Sequence, residues 1–440
     1  MNPCRALFLL LCWLLASSVP QFCAAQTLLL SGATVHTISG DTLSPGEVLV
    51  RGGKIAAVGA SVPGSGATRV DLKGLHLYPG LICLNSALGL TEIEAIRATE
   101  DTTEVGEYTP DVESWIAANP DSELIPVARV NGIAYFEPVP EGGLVSGQSG
   151  LVAVEGWTME QRTIRKPIAL HVFWPAIELQ VTPPRQRRRA GAEKPKSLEE
   201  QAKDRRTKLQ ALSEFFDEAK AYAKAKDAAG HGSSNAPARV PAWEAMLPYV
   251  GHQLPITVHA DEVRQIQSAV DWALTNDYRI ILAGGRDAWM LAGLLATNHV
   301  PVIYTHTFTQ PTRDTEPYDI HFSAPAVLHQ AGVPVTFSIG LRTFDAPLAR
   351  NLPYAAAQAV AFGLPETEAL KGLTIYPAEL AGVADRLGTI EPGKDATLFV
   401  CDGSILDARA NVKRMWVAGH EINLETRHTR LYDKYKARPK

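Results

Sequence analysis

The chain has 440 residues, 46% hydrophobic and 20% charged, with a formal net charge of −5. That is ordinary globular composition, large enough for one sizeable core or more than one domain. The charge balance has no broad basic excess, so nucleic acid is not an expected partner.

Residues 1–25 read as an export signal. Arg5 opens a short positive region, Ala6–Ala16 is apolar, and Cys23-Ala24-Ala25 offers small residues for cleavage before Gln26. The apolar stretch falls short of the roughly 20 helical residues that span a bilayer. The expectation is an exported, periplasmic or extracellular protein with no stable membrane anchor after cleavage; the alternative is a leader that stays attached. Cys4, Cys12 and Cys23 lie in this leader. Cys83 and Cys401 remain in different predicted domains, so no disulfide is expected, and no CxxC or Cys/His zinc spacing exists.

Residues 27–78 form short β-rich runs, LLLSGATVHTI, GEVLVRGGKIAAVG and TRVDLKGLHLYPG, punctuated by glycines and Ser-Pro-Gly. Near-continuous apolar runs follow, as buried parallel strands require. They are Leu81–Cys83, Ile133–Phe136, Leu151–Val154, Ile168–Phe173, Ile256–His259, Ile280–Ala283, Val302–Tyr304 and Val335–Phe337. Such a set suits a (β/α)₈ barrel. Residues 183–196, PPRQRRRAGAEKPK, read as an exposed linker. Ser197-Leu-Glu-Glu200 is a capping-box pattern opening a long charged helix. Leu209, Leu212, Phe215, Phe216 and Ala219 share one face of it, which predicts packing on the barrel, with a partner-binding arm as the alternative. TLFVCD and VKRMWVAG near the end again read as strands, and LETRHTRLYDKYKARPK as a short basic tail over the barrel.

Three blocks carry a family resemblance: TLLLSGATVHTISG…VDLKGLHLYPGL (27–81), NLPYAAAQAVAFGLPETEALKGLTIYPAEL (351–380) and AGVADRLGTIEPGKDATLFVCDG…VKRMWVAGH (381–420). Their order and turn residues resemble the amidohydrolase superfamily, in particular its imidazolonepropionase-like secreted members. The resemblance implies an α/β protein. A (β/α)₈ TIM-like barrel spans 79–385, with a helical insertion at 183–240. A small β-sandwich is built from 26–78 and 386–425, and a tail covers 426–440.

It also implies a metal-dependent hydrolase of carbon–nitrogen bonds other than peptide bonds. Ligands would come from the ends of barrel strands 1, 5, 6 and 8, and the metal would lower the pKa of a bound water. Here the ligand pattern is broken. PGLICLNSALG stands where relatives have PGLIDxHxHxG, so Asn85 and Ala87 replace two histidines and Cys83 an aspartate. Strand 5, ITVHADE, keeps His259. Strand 6 offers Gly284 and Gly285, and strand 8 puts Ile339 or Leu341 at the aspartate position, with Asp345 a few residues on. His171 and His306 end two other apolar runs and could join His259 around one weakly bound zinc or other divalent metal, or no metal binds. Asn85, Glu94, Arg97, Ser146, Gln148, Ser149 and Asp345 are the expected pocket residues. Two readings follow: a hydrolase with an incomplete metal site, or an inactive barrel binding a small molecule or a partner in the cell envelope. A small-molecule substrate or ligand is expected in either case, and many relatives associate, so a homo-oligomer is compatible with the resemblance.

Overall fold

The computed structural model describes residues 27–177, 179, 196–230 and 237–439. The expected leader, and the linker apart from Lys196, lie outside the described residues.

The first strands are β1 (Leu28–Val35), β2 (Leu43–Arg51), β3 (Lys54–Gly59), β4 (Thr68–Asp71) and β5 (His76–Pro79). The barrel strands are β6 (Leu81–Ser86), β7 (Ile133–Pro138), β8 (Val145–Ala153), β9 (Thr163–Phe173), β10 (Ile256–Ala260), β11 (Ile280–Gly284), β12 (Val302–Tyr304) and β13 (Val335–Phe337). The chain closes with β14 (Leu398–Cys401), β15 (Val412–Val417) and β16 (His420–Ile422).

The two chain ends share one sheet, in the order β16-β15-β14-β5-β1-β2-β3, with β4 beside β1. The seam is the antiparallel β14–β5 pair, where Val400 lies opposite Leu77. The expected sandwich is thus a single hydrogen-bonded sheet. Alternation along each strand divides its side chains. Leu28, Leu30, Val48, Val50, Leu77, Leu398 and Trp416 pack together, while Tyr78, Phe399, Cys401 and Met415 join the barrel core. Cys83 and Cys401 are free and buried.

The eight barrel strands run in sequence order from β6 to β13. Closure is nearly complete. A bridge joins Ser86 to Gly340, and the Ser338 hydroxyl donates to the Asn85 carbonyl at 2.7 Å. One strand departs from the (β/α)₈ expectation: β8 pairs antiparallel with both β7 and β9. The cause is the short connection, residues 139–144, between β7 and β8. A parallel crossover needs a dozen or more residues, whereas a hairpin needs only a few. The reversal brings the start of β8 to the same mouth as the C-terminal ends of the other strands.

The helix Leu198–Gly230 is capped as its sequence suggests: the Glu200 N–H donates to Ser197 Oγ, and the Ser197 N–H to Glu200 Oε2. It buries Leu212, Phe216 and Ala219 against Met246, Tyr249 and other core residues. Each large apolar side chain so buried contributes roughly 1.5–3 kcal/mol. The expected tail is a further helix, Arg427–Lys436, started by Thr426 and tied to Glu123 through Arg430. No helix among the described residues is long and apolar enough to cross a membrane.

Candidate active site

At the C-terminal mouth, five strands, β6 to β10, contribute to one hydrogen-bonded chain. Glu137, near the end of β7, is buried. It accepts from the Asn85 N–H at 2.8 Å and from Ser149 Oγ at 2.6 Å. His171 Nε2 lies 2.8 Å from Ser149 Oγ and 3.4 Å from Glu137 Oε1. His171 Nδ1 lies 3.0 Å from His259 Nε2, and Phe173 stacks on the His259 ring at 4.0 Å.

The donors assign the tautomers. Ser149 gives its proton to Glu137, so it accepts from His171 Nε2–H. His171 Nδ1 then accepts from His259 Nε2–H. His259 Nδ1 is left with a lone pair and makes no hydrogen bond among the described residues. The ring is part-buried and reaches the mouth.

The electrostatics follow. Burial alone would raise the Glu137 pKa, but the His171 ring, Ser149 and the Asn85 N–H together hold it below the usual value. Burial, reinforced by the neighbouring His171, holds His259 well below the ordinary histidine value, against a weaker opposing effect of Asp261, so His259 is neutral at pH 7.

A second pair lies beside this chain. Asp261 Oδ1 accepts from His306 Nε2 at 2.7 Å, and His306 Nδ1 is 3.1 Å from Thr309 Oγ1. Burial opposes ionisation of Asp261, yet His306 and the Arg286 N–H hold its pKa down. The glycines of strand 6 acquire a reason here. Gly284 has φ +95°, and a Cβ on it would stand 2.5 Å from Asp261 Oδ1. Gly340 after β13 has φ +124°, and its Cβ would meet Asp345 Oδ2 at 2.5 Å. Two carboxylates therefore occupy the space that side chains at these strand ends would fill. Asp345 is buried and gripped by Arg342 Nε and Nη2, each at 3.1 Å. Glu141, on the β7–β8 turn, has its pKa pushed up to about 7 by burial and by Asp345.

The expected site residues divide. Asn85, Ser149, His171 and His259 converge in the chain from Glu137. His306 stands with Asp261, apart from the His171–His259 contact. Ser146 donates to the Pro140 carbonyl, and Gln148 bonds the Pro110 carbonyl and the Tyr249 hydroxyl, so neither enters the cluster. Glu94 and Arg97 are exposed on the segment after β6. Asn85 has φ 56°, at an irregularity in the β6–β7 register. Asparagine tolerates this left-handed conformation better than most residues, and its side-chain Oδ1 is buried without a partner.

Glu137 and Asp261 escaped the sequence reading. The signals were a carboxylate one residue past the apolar run Ile133–Phe136, and Asp261 two residues beyond His259, on the same side of the chain.

The donor set does not fit a two-metal centre. Among the described residues no group of three or more His, Cys, Asp or Glu is arranged to hold a metal. Both nitrogens of His171 are engaged, one with Ser149 and one directly with His259. Ala87 cannot ligate.

Residues 322–422 match the amidohydrolase family. Over 408 residues, 85% of this chain, the sequence is 23% identical to amidohydrolase tasK of Hapsidospora irregularis, and the chain spans 39% of that protein's length. Among solved structures, an amidohydrolase from Thermotoga maritima MSB8 superposes with a TM-score of 0.78 at 26% identity, over 90% of this chain and 99% of that one. An adenosine deaminase from Xanthomonas campestris with bound zinc gives a TM-score of 0.50 at 14% identity, over 93% of this chain and 97% of that one, a likeness of fold alone.

Proposed function

This chain belongs to the amidohydrolase superfamily, and from that premise we propose that it hydrolyses a non-peptide carbon–nitrogen bond at the C-terminal mouth of its barrel, with a metal site left incomplete. The observation that carries this reading is the unbroken chain from buried Glu137 through Ser149 and His171 to His259. In it, Glu137 fixes the orientation of His171, and His171 fixes the tautomer of His259. His259 Nδ1 then faces the mouth as a lone-pair donor able to take a proton from water attacking a substrate carbonyl. Phe173 holds the ring in plane. The described residues do not make a two-metal centre.

The same reading includes export of the chain, with the leader removed near Ala25, and a small-molecule substrate. A second reading, a barrel that binds a small molecule without turning it over, is favoured by the loss of both strand 1 histidines to Asn85 and Ala87.

The test is hydrolysis of a panel of cyclic and N-acyl amides by the purified protein, before and after mild chelation. His259→Ala should lower kcat by about 10²–10⁴-fold, the usual range for a general base. The panel turned over equally by His259→Ala removes His259 from the chemistry, and no turnover of any member supports the binding reading.

A further inference from the structure

The opposite, N-terminal end of the barrel holds a cavity of about 420 Å³. It lies at the starts of β9 to β12, against the end of the helix Ile375–Leu380. Its size is that of a site for a small organic molecule. It is continuous, through Arg165, Gln253, Leu254 and Gly382, with a shallower hollow of about 650 Å³.

The charged groups in this cavity are unlike those at the mouth. Arg165 and Arg279 both line it, with His299 and Glu379. Neither arginine has a carboxylate partner among the described residues. Arg165 donates no hydrogen bond there, and Arg279 has only the Gln253 carbonyl at 3.5 Å, a marginal contact. The Arg165 guanidinium lies flat over Gly382, its Cζ 3.2 Å from where a Cβ would stand. Gly382 has φ +67°. Glycine there both turns the chain and leaves the space that the guanidinium occupies. Ile168, Leu254, Ile281 and Leu380 make the rest of the wall apolar.

We propose that this cavity is a second binding site, for a small organic carboxylate with an apolar body, held by the Arg165 and Arg279 guanidiniums. A guanidinium presents paired N–H donors that match a carboxylate. Two guanidiniums against the single carboxylate of Glu379 leave one net positive charge, which suits a monoanion better than a phosphate carrying nearly two charges. The apolar wall gives the body of such an acid a surface that inorganic phosphate cannot use. The site is separate from the mouth: Arg165 and His171 sit on the same strand, about 20 Å apart at roughly 3.3 Å per residue.

Calorimetric titration of the purified protein with phenylacetate, and separately with inorganic phosphate, tests this. Phenylacetate should bind saturably at one equivalent, and phosphate at least tenfold more weakly. Arg165→Ala and Arg279→Ala should each weaken phenylacetate binding by about tenfold or more, the scale of a lost charge-assisted hydrogen bond. Arg165→Lys keeps the charge without the fork and should fall between. His259→Ala should leave binding unchanged, and thermal melts establish that every variant is folded. No saturable binding, phosphate as tight as phenylacetate, or binding lost in His259→Ala but kept in both arginine variants each overturns the proposal.

Discussion

The two ends of this barrel treat charge in opposite ways. At the C-terminal mouth the named carboxylates other than Glu141 are answered: Glu137 by Ser149, His171 and the Asn85 N–H, Asp261 by His306, Asp345 by Arg342, and Asp287 by Arg313 through both of its oxygens. At the N-terminal end, Arg165 and Arg279 stand exposed with no ion-pair partner among the described residues, and Glu379 is the one carboxylate that lines their cavity. A buried charge costs several kcal/mol unless paired, whereas an exposed one costs nothing to leave in water. The mouth is therefore a closed circuit whose parts depend on one another, and the other end is open. Substitutions at the two ends should differ accordingly in their effect on stability.

The largest effect should come from Glu137→Ala. It leaves Ser149, His171 and the Asn85 N–H without their shared acceptor, all of them buried. Breaking one side of a buried charged network typically costs about 3–5 kcal/mol. Urea denaturation should show that loss, and Glu137→Gln, which keeps the volume and one acceptor oxygen, should lose less. Equal stability of wild type and Glu137→Ala would mean that the chain is not a structural unit.

Gly284→Ala comes next. The added Cβ would stand 2.5 Å from Asp261 Oδ1, on a backbone at φ +95°. Strain of this kind costs about 1–3 kcal/mol. Because the clash is with a carboxylate end, the Asp261–His306 contact should open, which a change in the His306 ring resonances by NMR would reveal. An unaltered His306 spectrum would show that Asp261 gives way without disturbing its partner.

Glu141 sharpens the comparison through pH. Its ordinary value of 4.5 is raised to about 7 in the fold. A carboxyl raised in this way is favoured protonated in the native state. Its contribution is fully present below pH 4.5 and is lost as pH rises toward 7, because the unfolded chain ionises first. Wild type should thus lose on the order of 1–2 kcal/mol relative to Glu141→Gln between pH 4.5 and pH 7, after allowance for solvent screening. Glu137 slopes the opposite way but is common to both proteins and cancels. Parallel stability profiles would place Glu141 in water.

Much of this architecture is legible in the sequence. All eight apolar runs became barrel strands, because burial on both faces writes a continuous hydrophobic signature. The pairing of the chain ends was legible for a related reason: short strands such as Leu398–Cys401 need a neighbour to cover them. The direction of β8 was not legible: the apolar runs ending at Phe136 and beginning at Leu151 leave room for a crossover, and only the observed start of β8 at Val145 shortens the connection to residues 139–144. The site was harder. Motif reading looks for ligands at fixed places, and at those places stand Asn85, Ala87, Gly284 and Gly285, and Ile339 or Leu341. What replaced them is long-range. Glu137 meets His171 across β8, and Asp261 lies over Gly284 from the neighbouring strand, contacts that no local pattern encodes.

The smallest effect should fall at the open end. Arg279→Ala removes a guanidinium whose only hydrogen bond among the described residues is 3.5 Å long, from an exposed position at the start of β11. Exposed substitutions without such partners usually stay within about 0.5 kcal/mol. The same stability measurement that registers several kcal/mol for Glu137→Ala should therefore register almost nothing here, and Arg165→Ala should behave likewise apart from the packing of its guanidinium on Gly382. A loss above about 1.5 kcal/mol for Arg279→Ala would mean that its charge is answered within the fold. The contrast between the two ends would then fail, and the arginine would be a structural brace rather than a free donor waiting for an anion.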